Sequence, residues 1–255
     1  MLLEQLLRSL DYISTSGSLS QKIHSVSHDS RQVNKNSIFV AIRGAKVDGR
    51  SFAKNLEVAA VVADADVETL PNVTLIMVPD ARCALGQLAA ALNGFPSNAL
   101  TSIGITGTNG KTTCCWIIEQ LALNAQVSTG TIGTIGHRLN GVSLDVQDGH
   151  TTPEASFLQP ALNHMVQHNC KILAMEVSSI GLSLKRVEGL EFDVACFTNL
   201  SRDHINFHGS MNAYGQAKSL LFSKYLKNQS TAVVNIDDPF FNHIASALKK
   251  KTVLL

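Results

Sequence analysis

A glycine-rich stretch, GITGTNGKTTCC, occupies residues 104–115 and overlaps the end of an apolar run at 100–105. An apolar strand that leads through glycines into Gly-Lys-Thr is typical of a phosphate-binding loop, because the backbone N–H groups can point at a polyphosphate. In such a loop Lys111 reaches the outer phosphates, and the Thr112 hydroxyl can bind magnesium. We therefore expect a strand, a phosphate loop and a helix in this order.

The match to the strict phosphate-loop pattern is imperfect. Ile105 stands where the pattern expects a glycine, five residues before Gly110, and Gly104 and Gly107 flank that position. The alternative is a strand-to-helix turn in which glycine serves conformation alone. That alternative treats the Gly-Lys-Thr-Thr helix start as an accident, so we favour the phosphate loop.

The composition restricts the class of protein. The 255 residues are 45% hydrophobic, which suffices for a packed core in one large or two modest domains. The formal net charge is +1 and no long run of Lys or Arg occurs, so we expect no nucleic-acid partner. No apolar run is long enough to span a bilayer, so we expect no membrane partner.

The N-terminus and the cysteines point to a compartment. Residues 1–13 predict an amphipathic helix, because Glu4, Arg8 and Asp11 interrupt the apolar residues. The segment lacks the basic start and the small-residue cleavage site of a signal peptide. The five cysteines are odd in number and form no CxxC pair, so we expect reduced thiols. These observations predict a cytoplasmic protein.

Residues 1–96 predict a small α/β domain. Short β-rich runs alternate in it with helical stretches, and the runs lie at 37–42, 59–63 and 73–78. A helix is expected over 80–92. The segment NGFPSNAL then interrupts the pattern, and we place the boundary there, so that the second domain covers 97–255.

The densest polar cluster of the first domain is His28-Asp29-Ser30-Arg31, which precedes a turn at 44–49. Such a cluster is either a ligand site or a solvated turn that Asp29 or Ser30 caps. The residues by themselves leave both interpretations open.

Residues 97–255 predict a mostly parallel sheet with helices on both faces, because strands and helices alternate. After the loop, the expected strands lie at 171–177, 193–199 and 231–236, followed by a final TVLL. One helix is expected to begin at about residue 111, and two further helices are expected at 210–226 and 238–248. The predicted class is therefore α/β, and ligands of such sheets collect at the carboxyl ends of the strands.

Polar residues fall at those strand ends. Glu176 closes one strand, Asp203 and His204 follow the next, and Lys218 lies on the helix after it. Magnesium beside nucleotide phosphates needs hard oxygen ligands, and Glu176 is the natural candidate. A solvent-exposed Glu176 and a structural His204 remain the alternatives.

The segment Thr151-Thr152-Pro153-Glu154 predicts a helix start. Thr152 would be the N-cap, Pro153 the first helical residue, and Glu154 an acidic residue of the first turn. The pattern alone assigns the threonines no further role.

Five segments together occur in the order and spacing of a known family. They are TGTNGKTT, TTPE, MEVSS, FTNLSRDHINFHGSMNAYGQAK and VVNIDD. In them the chain resembles the Mur ligases of peptidoglycan synthesis. The most similar branch is MurE, which adds the third amino acid to UDP-N-acetylmuramoyl-L-alanyl-D-glutamate. HDSRQV and IFVAIRGAKVDGRSF are similar to the family's uridine-nucleotide-binding domain, so the resemblance covers nearly the whole chain.

The resemblance implies ATP and Mg²⁺ as cofactors. The residues expected to bind ATP are Gly107, Thr108, Asn109, Gly110, Lys111, Thr112 and Thr113. The residues expected to hold the metal are Thr112, Glu176, His204 and Lys218. Lys218 matches a lysine that the family carbamylates, and a carbamate is a carboxylate-like ligand, whereas a bare ammonium would repel the ion. The implied catalytic residues are Lys111, Glu176, His204 and Lys218.

The resemblance also implies a UDP-N-acetylmuramoyl dipeptide and an amino acid as substrates. The uridine nucleotide would contact His28, Ser30, Ala45, Lys46 and Val47. The muramyl peptide would contact His150, Thr151, Thr152, Ser178 and Arg186. In the implied reaction the glutamyl carboxylate attacks the γ-phosphate of ATP, and the incoming amine then displaces phosphate from the acyl phosphate. Positioning and charge neutralisation carry the first step.

Two positions depart from the family pattern. Ile180 stands where a histidine usually follows MEVSS, and Leu184 stands where glutamine is common two residues before the arginine. Both lie beside Arg186, so the pattern leaves the affinity and preference for the substrate open.

Length is the larger departure. Because MurE-like enzymes are considerably longer, the resemblance predicts a ligase truncated in its central domain, with a missing C-terminal portion as a further partner in trans. The alternative function is a non-catalytic remnant or binding module for a UDP-linked ligand or ATP. An unrelated phosphate-loop kinase is disfavoured by the string at 197–218. The sequence does not choose between diaminopimelate and lysine.

Overall fold

The computed structural model describes residues 1–44, 47–144, 149–248 and 253–254. The chain divides into two compact units, Met1–Phe95 and Pro96–Leu255. In the described part of the chain, no helix combines the length and the hydropathy that crossing a bilayer requires. All five cysteines are free thiols.

The first unit is built on a sheet that has five strands within the described residues. They are β1 (Ser14–Ser16), β2 (Ser25–Ser27), β3 (Ser37–Val40), β4 (Ala60–Ala63) and β5 (Thr74–Met77). The order is β1-β5-β4-β3-β2, with β1 antiparallel to β5 and the other pairs parallel. All four residues of β3 and of β4 are buried, as expected for strands inside a parallel sheet.

Where the structure describes this unit, two α-helices accompany the sheet, α1 (Leu3–Leu7) and α2 (Ala81–Leu92), with a 3₁₀ helix at Gly49–Asn55. The Asp80 carboxylate accepts from the Cys83 N–H and caps α2, so this helix begins where the sequence predicts.

The predicted helix over 1–13 is much shorter in the structure. Leu7 is its last residue, and the Ile13 N–H then donates to the Met77 carbonyl at 2.7 Å. The helix therefore ends early, because the residues that follow it pair with β5 as a strand. The serine-rich strands β1 and β2 were not predicted. Each has only three residues, which is too short to show the alternation of apolar and polar residues that indicates a strand.

The second unit holds a sheet that has eight strands among the described residues. They are β6 (Thr101–Thr106), β7 (Thr129–Gly133), β8 (Gly136–Leu139), β9 (Val142–Leu144), β10 (Ile172–Glu176), β11 (Phe192–Phe197), β12 (Leu226–Val234) and β13 (Val253–Leu254). The order is β13-β12-β11-β6-β10-β7-β8-β9. The pairs from β13 to β7 are parallel, and the β7–β8 and β8–β9 pairs are antiparallel, which confirms the mostly parallel α/β class.

The helices of this unit lie between its strands in the chain. They are α3 (Lys111–Asn124), α4 (Ala155–Gln167), α5 (Ser179–Ser183), α6 (Ile205–His208), α7 (Met211–Ser223) and α8 (Phe241–Ser246), with a 3₁₀ helix at Pro96–Ala99. In α4, Leu158, Leu162 and Met165 recur at helical spacing and pack into the core with Phe192 and Leu221. This core holds β6, β10 and β11 side by side, so their carboxyl ends meet at one edge.

The start of α4 corrects the predicted helix start. The N-cap is Glu154 and not Thr152, and the first helical residue is Ala155 and not Pro153. The Thr152 hydroxyl instead donates to the Glu176 carbonyl at 2.9 Å and accepts from the Ser178 N–H at 2.9 Å. A tertiary contact with the end of β10 therefore replaces the local cap.

Candidate functional site

The glycine-rich loop joins β6 to α3 and has the shape of a phosphate loop. Gly107 (φ 147°) and Gly110 (φ 86°) adopt conformations that L side chains rarely take. A Cβ on Gly107 would overlap the Thr198 hydroxyl, which donates to the Asn109 carbonyl at 2.6 Å. Thr198, just beyond β11, therefore supports the loop from beneath, while Asn109, Gly110 and Thr113 are exposed.

Lys111 folds back over the loop. Its Nζ donates to the Gly107 carbonyl and to the Thr108 carbonyl, both at 2.9 Å. Burial lowers the pKa of Lys111, and the charges of Glu176 and Asp203 act in the opposite direction. The loop thus carries its own cation at the position where outer phosphates would lie.

Lys218, on α7, meets the same loop from the other side. Its side chain is 1% exposed, its Nζ donates to the Gly107 carbonyl at 2.8 Å, and Nζ lies 4.4 Å from the centroid of the Tyr214 ring. Burial and the charge of Lys111 lower the pKa of Lys218 to about 7, against the opposing effect of Asp203. Two lysines therefore share one carbonyl oxygen, and burial favours the neutral form of Lys218.

Glu176 closes β10 beside the first turn of α3. The residue is 1% exposed, which excludes the alternative of a solvent-exposed carboxylate. Its Oε1 accepts from the Thr112 hydroxyl at 2.9 Å and from the Thr134 N–H at 2.8 Å. Its Oε2 accepts from the Thr134 hydroxyl at 3.2 Å. The structure thus joins the predicted Thr112 and Glu176.

Gly133 and Thr134, at the end of β7, are site residues that the sequence analysis missed. A Cβ on Gly133 would overlap the Glu176 carboxylate, so glycine is required for this approach. The Thr134 hydroxyl lies 3.1 Å from the Thr151 hydroxyl. The available signal was the β-prone run TGTIG at 129–133, which the sequence analysis did not assign to a strand.

A small cleft of about 120 Å³ opens at this point. It is lined by Gly133, Thr134, Gly136, His137 and residues 149–151. The predicted substrate residues His150 and Thr151 therefore lie in one cleft with the residue that holds Glu176.

Thr152 and Ser178 also lie beside Glu176, because the Thr152 hydroxyl binds the Glu176 carbonyl and the Ser178 N–H. The Ser178 hydroxyl lies 3.1 Å from the Thr152 hydroxyl. It also accepts from the Gly181 N–H at 3.0 Å and so caps α5. Both side chains hold the loop after β10 in place.

Arg186 lies inside the protein, 9% exposed. Its Nε donates to Glu154 Oε1 at 2.8 Å, and Nη1 donates to the Thr152 carbonyl at 3.0 Å. Arg186 thus forms an internal ion pair and a backbone contact. The two positions that depart from the family pattern, Ile180 and Leu184, precede it closely in the chain.

His204 occupies a different environment from Glu176. It has φ 52°, its side chain is 45% exposed, and its Nε2 lies 3.5 Å from Asp203 Oδ2. Among the residues that the structure describes, no three or more His, Cys, Asp or Glu are grouped to hold a metal. The predicted metal set contains only two residues of these types, so Thr112 and Lys218 would have to complete it.

His208 is a further residue that sequence spacing did not single out. Its Nε2 lies 3.0 Å from the Ser179 hydroxyl. Burial and the charges of His204 and Lys218 lower the pKa of His208. The contact connects the end of α6 to the first residue of α5.

The predicted uridine-nucleotide residues lie in the first unit. His28 and Ser30 are partly buried and flank Asp29, which forms a 2.6 Å ion pair with Arg31. The Arg31 hydrogen bond lowers the pKa of Asp29 to about 2. Val47 is 56% exposed, whereas Ala45 and Lys46 lie outside the described residues.

Two family descriptions match this chain. "Mur ligase middle domain" matches residues 105–254, and "Mur ligase family, catalytic domain" matches residues 22–92. The first match includes the loop, Glu176, His204 and Lys218.

Curated relatives give a consistent result. A UDP-N-acetylmuramoyl-L-alanyl-D-glutamate–2,6-diaminopimelate ligase from Geobacter metallireducens is 37% identical over 254 residues, 96% of this chain and 49% of that protein. A UDP-N-acetylmuramoyl-L-alanyl-D-glutamate–L-lysine ligase from Staphylococcus epidermidis is 39% identical over 236 residues, 90% of this chain and 47% of that protein. The chain spans about half the length of the curated relatives it matches.

Solved structures agree on the fold. A diaminopimelate ligase superposes with a TM-score of 0.81 at 28% identity, covering 100% of this chain and 52% of that one. Escherichia coli FolC, solved with DHPP and ADP, shares the fold at a TM-score of 0.53 and 20% identity, over 65% of this chain and 44% of that one. The family descriptions and the curated relatives lead to one conclusion: the chain belongs to the Mur ligase family.

Proposed function

We propose that this chain supplies the substrate-binding and ATP-binding parts of a MurE-type ligase. The reaction joins diaminopimelate or lysine to UDP-N-acetylmuramoyl-L-alanyl-D-glutamate with ATP. Residues 1–96 would bind the uridine nucleotide, with His28, Ser30 and residues 45–47, and residues 97–255 would bind ATP. The observation that carries the proposal is the 2.9 Å contact between the Thr112 hydroxyl and Glu176, at the helix start that follows a phosphate loop.

The residues present fit magnesium. The Glu176 carboxylate is buried, and its hydrogen bonds come from neutral donors, Thr112 and Thr134. A buried carboxylate without a bound cation is unfavourable, and its hard oxygens suit Mg²⁺. Thr112 and Glu176 would hold the metal, with His204 and a modified Lys218. The ion would neutralise phosphate charge when bound.

Lys218 would enter that site as a carbamate. A pKa of about 7 leaves much of the amine neutral near neutrality, and a neutral amine is nucleophilic. Its nitrogen attacks carbon dioxide, an N–C bond forms, and one proton leaves to solvent. The nearby Lys111 cation favours the resulting anion.

The chain's own residues would then act by binding and orientation. Lys111 and the backbone N–H groups of residues 107–113 hold the phosphates, while His150, Thr151, Thr152, Ser178 and Arg186 form the muramyl-peptide side. The glutamyl carboxylate oxygen attacks the γ-phosphorus, and the bond to the β–γ bridging oxygen breaks. The amine of the third amino acid then attacks the acyl carbon, phosphate leaves, and the amine proton passes to solvent. Proximity and charge neutralisation carry both steps.

The test measures phosphate release from ATP in the presence of UDP-N-acetylmuramoyl-L-alanyl-D-glutamate, with and without diaminopimelate or lysine. The assay is run with the chain alone and with the C-terminal half of a curated relative added in trans. Amine-dependent release that Lys111→Ala abolishes supports the proposal. Binding of both ligands with no release in either assay assigns the chain to binding alone. The proposal places the reaction in the cytoplasm, where ATP is available.

A further inference from the structure

We propose that Thr134 is a positioning residue that couples binding of the acyl substrate to binding of the magnesium nucleotide. It does so by holding the Glu176 carboxylate on one side and contacting Thr151 on the other. The inference rests on the proposed function, because it takes Glu176 as a metal ligand and Thr151 as a substrate contact.

Thr134 holds both oxygens of Glu176. The backbone N–H donates to Oε1 at 2.8 Å, and the hydroxyl donates to Oε2 at 3.2 Å. The carboxylate therefore cannot rotate about its terminal bond without losing a contact with Thr134. Thr112 approaches Oε1 from the nucleotide loop at 2.9 Å, so Thr134 sets the orientation in which Glu176 faces the loop.

The hydroxyl contacts have a fixed direction. An ionised carboxylate only accepts, so the single proton of the Thr134 hydroxyl is directed to Glu176. The hydroxyl of Thr151, 3.1 Å away, must then donate to Thr134. The oxygen of Thr151 keeps its remaining acceptor capacity toward the cleft. A substrate N–H, such as a peptide amide, can donate to Thr151 and thereby strengthen the hydrogen bonds from Thr151 to Thr134 and from Thr134 to Glu176.

The backbone here is adapted to this contact. A Cβ on Gly133 would overlap Glu176 Oε1, so the residue before Thr134 leaves space for the carboxylate. The cleft of about 120 Å³ is lined by both Thr134 and Thr151. A ligand that binds the Thr151 hydroxyl is therefore connected to Thr134 through one hydrogen bond.

The experiment measures the dissociation constant of Mg·ADP by calorimetry, with and without saturating UDP-N-acetylmuramoyl-L-alanyl-D-glutamate. The full chain is compared with Thr134→Val, which is isosteric and lacks the hydroxyl, and with Thr134→Ser, which restores it. Thr131→Val is the matched control, because this hydroxyl, three residues earlier on β7, is buried and has no hydrogen-bond partner among the described residues.

We expect the dipeptide to tighten Mg·ADP binding by about 5-fold or more in the wild type. The coupling is lost in Thr134→Val and retained in Thr134→Ser and Thr131→Val. Unchanged coupling in Thr134→Val, or equal loss in Thr134→Ser, overturns the inference. If both ligands bind the wild type without coupling, the inference fails while the proposed function stands. If the wild type binds neither ligand, both fail.

Discussion

Lys218 and Glu176 show at the residue scale how burial changes chemistry that the residue types only suggest. A lysine is ordinarily a surface cation, yet this one is 1% exposed and shares the Gly107 carbonyl with Lys111. Glu176 is equally buried and is held by neutral donors. Burial disfavours the charged form of Lys218 and lowers its pKa, which is typical of functional sites.

Lys218 gives the chain a pH-dependent stability. Its folded-state pKa of about 7 lies below the unfolded value of about 10.4, so between these pH values the unfolded state binds more protons. The free energy of unfolding should therefore rise with pH in this window, by at most about 1.4 kcal/mol per pH unit. Lys218→Met should lack this component in urea unfolding with carbon dioxide excluded.

The matched control is Lys224→Met, since the Lys224 side chain is 42% exposed. It should keep the wild-type dependence on pH. Equal pH slopes for Lys218→Met and the wild type would contradict the lowered pKa.

Gly133 should be intolerant of a side chain. Gly133→Ala places a methyl group where the Glu176 carboxylate lies, so the carboxylate must move. We expect magnesium-dependent nucleotide affinity to fall by roughly 10-fold or more, as for residues that orient metal ligands. The affinity for ADP without magnesium serves as the internal control and should change little. An unchanged magnesium dependence would show that Glu176 does not hold the metal.

Parallel strands and the loops after them create the site at the scale of elements. Strands β6, β10 and β11 lie side by side, and their carboxyl ends carry the phosphate loop, Glu176 and Thr198. The hairpin after β7 adds Thr134 from the next strand of the sheet. Thr152 then connects the start of α4 to the end of β10.

Thr152 should matter for stability through that connection. Thr152→Val keeps the shape of the side chain and leaves the Ser178 N–H without its partner. We expect a loss of about 1 to 3 kcal/mol in the free energy of unfolding, measured with urea. Thr131→Val, which removes a buried hydroxyl that has no partner in the described part of the chain, is the control and should cost much less. Equal losses for the two variants would refute the tertiary role.

At the scale of the whole molecule, the chain consists of two compact units, and each has its own hydrophobic core. One core of the first unit contains Phe39, Val61 and Val73, and the core of the second contains Leu162, Phe192 and Leu221. The loop, Glu176 and Lys218 all belong to the second unit. Ligands of the loop should therefore stabilise that unit first.

Mg·ADP should protect residues 96–255 in hydrogen exchange. A ligand at 100 times its dissociation constant stabilises the state it binds by about 2.7 kcal/mol. We expect Mg·ADP to slow hydrogen exchange in β6, β10 and α3 of the wild type. In Lys111→Ala, adding Mg·ADP should leave the exchange rates of these elements unchanged. Protection confined to peptides from Met1–Phe95 would place the nucleotide elsewhere.

The sequence by itself determined the features that depend on neighbouring residues. Glycines followed by Gly-Lys-Thr predicted the loop and α3, apolar runs predicted β3, β4, β6 and β10, and the helix expected over 80–92 corresponds to α2. These patterns are local, because backbone conformation, capping and strand burial follow from a few adjacent side chains.

Only the tertiary structure decided which residues meet at the end of β10. Thr134 reaches Glu176 across 42 residues of chain, and Lys218 reaches Gly107 across 111. The sheet order that makes these contacts comes from packing over the whole unit, so no spacing in the sequence announces it. The same packing redirected Thr152 from a local cap to Ser178, because a buried hydroxyl takes the partner that the fold places beside it.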